Sequence, residues 1–159
     1  MKRSIATILN EELNLKEEKI GFDTLEERIE ILNLSNSRVK ELENEKIKTI
    51  NSDIEECKTI SSNINVINAD EVVGLFNRPL DTAKNWLELL GTLHKKGNFE
   101  EFKGKEKFQH FMLNYKGEDL PIVIKVNNEY YIEGNGKHRL TIAKCLGGIK
   151  VKVSVKTVV

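Results

Sequence analysis

Tyr130-Tyr131-Ile132-Glu133-Gly134-Asn135-Gly136-Lys137-His138-Arg139-Leu140-Thr141-Ile142-Ala143-Lys144 carries the decisive pattern. It reads as a strand, then a glycine-rich turn, then the first turns of a helix. Glycine lets a backbone take positive φ and approach a ligand closely. A helix start offers unpaired N–H groups and the positive end of a dipole. Lys137 and Arg139 add full charges, and an arginine can grip two phosphate oxygens at once. Gly134, Asn135, Gly136, Lys137, His138, Arg139 and Thr141 are therefore the candidate ligand-binding residues. The simpler alternative is a tight strand-to-helix connection whose charges face water.

The flanks extend the reading. Pro121 to Val126 is an apolar, β-branched run and is expected to be a strand. Asn127-Asn128 suits a two-residue hairpin turn, because asparagine tolerates positive φ. Glu129 to Ile132 returns as the partner strand. A helix is expected from about Lys137 to Leu146, stopped by Gly147-Gly148, and a last strand from Ile149 to Val155.

Gly136-Lys137-His138-Arg139-Leu140, with Ala143 and Gly147 or Gly148 behind it, resembles the Gly-x-His-Arg signature of the ParB/sulfiredoxin-like fold. Pro121-Ile122-Val123-Ile124-Lys125-Val126 resembles that fold's Pro-Ile-x-Val strand. The resemblance covers roughly 121–155, is weak over 64–120 and is absent before that. It implies an α+β domain whose turn binds a nucleotide, CTP or ATP/ADP, with or without Mg²⁺. It also implies an activity drawn from ATPases, kinases of small metabolites or nucleases. Sulfiredoxins place a cysteine where this chain has Lys137, so sulfinic acid reduction is not expected. Partition proteins carry a DNA-reading helical domain behind the turn. This sequence runs only about twelve residues past Gly147, so an N-terminal helical arm would have to replace it.

Phosphoryl transfer needs a base, a charge clamp and usually Mg²⁺. Glu133 is the acid beside the turn and would be the base or a metal ligand. His138 could orient a phosphate or shuttle a proton. Against catalysis, a lone glutamate makes a poor two-metal site. The second reading is therefore a non-catalytic interaction protein, of plasmid or phage type, that keeps the fold and binds a protein or nucleic acid.

Charge is balanced overall, with 25 Lys and Arg against 25 Asp and Glu, so no global field draws the chain to nucleic acid. The distribution is uneven. Residues 1–64 hold ten basic and fourteen acidic side chains, whereas 121–159 hold seven and two. The basic excess sits with the glycine turn and suits a polyanion. Lys150, Lys152 and Lys156 also fit the solvent face of an edge strand. Cys57 and Cys145 are too few and too far apart for a disulfide framework or a zinc site. A reducing cytoplasm fits. The basic start is followed by an apolar run broken at Asn10-Glu11-Glu12, which is not the pattern of a signal peptide, and no stretch is long enough to span a bilayer.

The first 63 residues read as a helical extension and 64–159 as the ParB-like domain. Residues 4–19 have helical spacing. Phe22, Leu25, Ile29 and Leu32 make one apolar stripe, opened by Asp23 as cap. Val39, Leu42, Ile47, Ile50, Ile54, Cys57 and Ile60 make a second. A helical hairpin is expected, its stripe buried on the C-terminal domain or on a second copy, giving a homodimer through residues 22–62. Asn65 to Asn68 is a short strand candidate, with Asp70 capping a helix at Glu71 to Val73. Asp81 is expected to cap a helix that buries Trp86, Leu87, Leu90 and Leu93. Residues 99–115 are expected to form a short helix pair, and Lys103, Lys105 and Lys107 a solvated face or a basic rim. Arg78, beside Pro79, resembles a family element too loosely for a role to be assigned.

Overall fold

A computed structural model describes residues 24–51, 59–93, 105–115 and 119–158. It is an α+β fold with a six-stranded mixed sheet. In chain order the elements are α1 (Leu25–Ile31), α2 (Asn36–Asn44), β1 (Lys48–Ile50), β2 (Thr59–Asn68), a single 3-10 turn (Ala69–Glu71) and β3 (Val72–Phe76). Then come α3 (Trp86–Thr92), α4 (Lys105–Leu113), β4 (Ile122–Val126), β5 (Glu129–Ile132), α5 (Lys137–Leu146) and β6 (Lys150–Val158). The strands lie in the order β1-β3-β5-β4-β6-β2.

The C-terminal third follows the sequence expectation closely. β4 and β5 form an antiparallel hairpin in which Ile124 faces Tyr131 and Val126 faces Glu129. Asn127 and Asn128 turn it with φ of 49° and 67°, as a type I′ hairpin requires. Gly147 and Gly148 both take positive φ and end α5. β6 then runs parallel to β4 and antiparallel to β2. It is therefore an interior strand, and the edge-strand reading of Lys150, Lys152 and Lys156 is corrected.

Local signals explain the helix starts. The Thr24, Ser35 and Asn85 side chains accept from Glu27, Arg38 and Glu88 N–H and open α1, α2 and α3. Each satisfies one of the orphan donors of a first turn. The cap of α1 is thus Thr24, one residue past the expected Asp23. Asn85 likewise replaces Asp81.

The helical hairpin is shorter than its apolar stripe. It stops at Asn44, and Lys48 to Ile50 enters the sheet as β1, parallel to β3. Ile47 packs against the main core while Ile50 packs against a smaller cluster with Phe76, Ile124 and Tyr131. Val123 and Ile124, adjacent on β4, divide between the same two clusters, so these lie on opposite faces of the sheet. Residues three apart share a face in a helix and take opposite faces in a strand. Ile47, Thr49 and Ile50 are β-branched and suit a strand, but the pairing of Lys48 to Ile50 with β3 is what fixes it. The strand β2 begins at Thr59, so the sheet starts well before residue 64. Val72-Val73, expected to be helical, opens β3 instead, and Asn68 rather than Asp70 caps the turn before it. Of the expected pair over 99–115, the described part is the one helix α4. Residues 4–19, Ile54, Cys57 and Lys103 lie outside the described residues.

One main core gathers the first described helices and the last strand. Leu32, just past α1, and Leu42 of α2 are buried with Trp86, Leu89, Leu90, Phe108, Met112, Leu140, Ile142 and the inward valines of β6. Arg28 ties α1 to α3 by donating from Nη1 to the Leu90 carbonyl at 2.7 Å. Arg38 of α2 donates to the carbonyls of Lys144, at 2.5 Å, and Cys145, at 3.0 Å, at the end of α5. The stripe offered for a homodimer is thus spent within the chain at Leu32 and Leu42.

Cys145 is wholly buried, and burial pushes its thiol up to about 12. The thiolate is the reactive form. In a Cys57→Ser background, Cys145 is expected to resist thiol reagents at pH 8 in the native chain and to react at once in denaturant. Fast labelling of the folded chain would contradict its placement.

Candidate functional site

The glycine turn is built by close docking on β4. Ile122 N–H donates to Asn135 O, and Glu133 N–H donates to Ile122 O, both at 3.0 Å. Gly134 and Gly136 have φ of 65° and 95°. A Cβ on Gly136 would stand 2.4 Å from Pro121 Cβ and 2.6 Å from its Cα. Gly136 is therefore required twice, by conformation and by space. It also serves as the N-cap of α5, its carbonyl receiving Leu140 N–H at 2.8 Å. No side chain caps this helix and its first turn holds no acid. A ten-residue helix so begun presents its amide end with Lys137 and Arg139 beside it.

Two groups of charges flank the turn. On one side Lys137 Nζ lies 2.9 Å from Asp81 Oδ1, and Arg78 Nη1 lies 3.5 Å from Asp81 Oδ2. Arg78 also donates from Nη2 to the Gly134 carbonyl. On the other side Arg139 Nη2 donates to the Asp119 carbonyl at 2.5 Å, and its guanidinium lies 5.0 Å from the centre of the Tyr115 ring. Tyr115 donates its hydroxyl to Asp119, which raises the phenol above its ordinary pKa. Arg139 Nη1 and Arg78 Nε are buried and have no hydrogen-bond partner among the described residues. A buried cationic donor left unpaired is costly.

The turn residues from Gly134 to Arg139 stand together as one loop and helix start. The other candidates separate from them. Glu133 leaves the turn sideways to meet Lys156 at 3.3 Å. His138 is buried and has a partner inside the fold. Thr141 is fully buried, so it is closed to a ligand, and its hydroxyl has no hydrogen-bond partner among the described residues. Neither Glu133 nor His138 is held as a free base would be. Among the described residues no three His, Cys, Asp or Glu side chains gather into a metal-binding group. Lys105 and Lys107 lie exposed on α4. Two surface cavities, of about 460 Å³ at the α1–α2 turn and about 510 Å³ along α4, include none of the turn residues.

Sequence reading passed over Arg78 and Asp81 as parts of the site. Their only local signal was a charged pair around Pro79, and the contacts that matter span 56 residues. Lys144 escaped notice altogether. It is buried in α5, donates to Asp70 O at 2.8 Å, meets Glu45 at 2.9 Å and lies 5.3 Å from the centre of the Trp86 ring. It fastens α5 to the 3-10 turn and to α3. Asp70 completes that junction by accepting the Gly148 N–H.

No protein-family model, curated protein or solved structure matches the chain. Among the described residues no helix is long and apolar enough to cross a membrane.

Proposed function

We propose that the chain binds the phosphate groups of a nucleotide on the Gly134–Arg139 turn. The observation that carries this reading is the start of α5. A left-handed glycine, Gly136, caps a helix whose first turn holds Lys137 and Arg139 and no acid. Backbone amides, helix dipole and cations then act on the same anion. Lys137 is shared with Asp81, which holds its ammonium beside the turn and lowers the local positive charge. Mg²⁺, where it takes part, enters with the phosphates it neutralises.

The reading is of binding rather than of turnover. Glu133 is engaged by Lys156 and His138 is buried. ATPase, kinase or nuclease chemistry would need a base released from these contacts.

The test is a thermal-shift panel with CTP, ATP, ADP and GTP, with and without Mg²⁺, on the native chain and on Arg139→Ala. A ligand at about a hundred times its Kd adds roughly 2.7 kcal/mol. For a chain of this length that raises the midpoint by roughly 5–10 °C. The shift is expected for at least one nucleotide and is expected to vanish in Arg139→Ala. No shift with any of them rules the proposal out.

A further inference from the structure

Thr59–Asn68, the longest described strand, lies at the edge of the sheet, and among the described residues β6 is its only strand partner. Every residue from 61 to 66 is exposed. Two of the most exposed large apolar side chains are here, Ile64 at 62% and Val66 at 47%. The strand reads Thr-Ile-Ser-Ser-Asn-Ile-Asn-Val-Ile-Asn, with no charge and no proline. Open edges are ordinarily guarded by lysine, proline or bulges. The single irregularity here falls between Thr59 and Ser61, which leaves 61–68 regular.

The backbone settles which groups point outward. Ala69 N–H donates to Ile149 O, continuing the register in which Asn68 faces Lys150. By the alternation of an antiparallel ladder, Asn63, Asn65 and Ile67 then bond toward β6. Ser62, Ile64, Val66 and Asn68 turn their N–H and C=O groups to the open edge. Val66 N–H is met there by the Asn65 side chain, at 2.9 Å, which stands where an adjoining strand would donate and accept.

We propose that a second copy of this chain pairs antiparallel along this edge, joining two sheets into one. Of the symmetric registers, the one centred on Asn65 sets Ile64 opposite Val66 of the second copy. It brings outward-pointing residues face to face and places both apolar pairs on the same side of the joined sheet. Each copy uses the same patch, as a two-fold interface requires. Charge favours this occupant. The strand itself carries no charge, so pairing two copies sets no like charges directly opposite each other. β4 and β6 lie between this edge and the strand β5 that leads into the glycine turn.

Sedimentation equilibrium over a concentration series tests it, with Ile64→Lys and Val66→Pro compared by circular dichroism and thermal midpoint. Proline at 66 removes an outward N–H and leaves the β6 ladder intact. The native chain is expected at twice its 18.2 kDa mass, and both variants at the single-chain mass with their fold kept. A native chain that is monomeric at every concentration overturns the proposal. So does a dimer that survives in either folded variant. If one variant unfolds, the other decides. Unfolding of both overturns the assignment of these groups to a free edge.

Discussion

Gly136→Ala is expected to destabilise the chain by about 3 kcal/mol, from left-handed strain of about 1–2 kcal/mol and forced repacking of about 1–3 kcal/mol. The new methyl would collide with Pro121, whose Cβ and Cα lie 2.4 Å and 2.6 Å from its ideal position. Neither atom belongs to a flexible side-chain end, so the turn or β4 has to move. A fall of roughly 6–12 °C in the thermal midpoint follows. Gly134→Ala is the internal control. Gly134 also has positive φ, but its added methyl meets only Ile122 Cδ1, at 3.6 Å. Its cost is the conformational part alone, about 1–2 kcal/mol. Equal midpoints for the two variants, measured by calorimetry, would contradict the docking of the turn on Pro121.

Trp86→Ala is expected to cost about 3–5 kcal/mol, the ordinary range for removing a buried tryptophan. Trp86 is completely buried at the start of α3, under the Lys144 ammonium and beside α5. Loss of the ring opens a cavity and removes the face on which Lys144 rests. Trp86→Phe separates the two contributions. The indole Nε1 is buried with no hydrogen-bond partner among the described residues. Phenylalanine keeps a ring and discards that unpaired donor, so its cost is expected to stay below about 1.5 kcal/mol. Urea unfolding of the three proteins measures both differences. A Trp86→Ala protein as stable as the native chain would remove Trp86 from the core.

The parts of the fold that were legible in the sequence share one property: their signals are local. Asn127-Asn128, Gly134, Gly136 and Gly147-Gly148 each mark a positive φ, and the alternation between them fixes β4, β5 and α5. β1 and β3 were misread because each is short. Ile47 and Ile50 fit a helical spacing as well as a strand, and only packing against β3 decides. The edge position of β2 and the interior position of β6 follow from strand order, which no local pattern encodes. The same limit applied to the site. Lys137 and Arg139 announced themselves, while Arg78 and Asp81 reach the turn from a distant loop. Burial, which withdraws Thr141 and His138 from a ligand, depends on how α5 packs between the sheet and α3.

Phosphate binding at the start of α5 is open to direct test. Amide chemical-shift mapping of the ¹⁵N-labelled chain, titrated with CTP or ATP and Mg²⁺, tests it directly. Saturable shifts are expected, centred on Gly134, Asn135, Gly136, Lys137, His138 and Arg139, with Arg78 and Tyr115 responding beside them. Amides at the turn that do not move with either nucleotide, or shifts confined to the α4 cavity around Gln109 and His110, would contradict it.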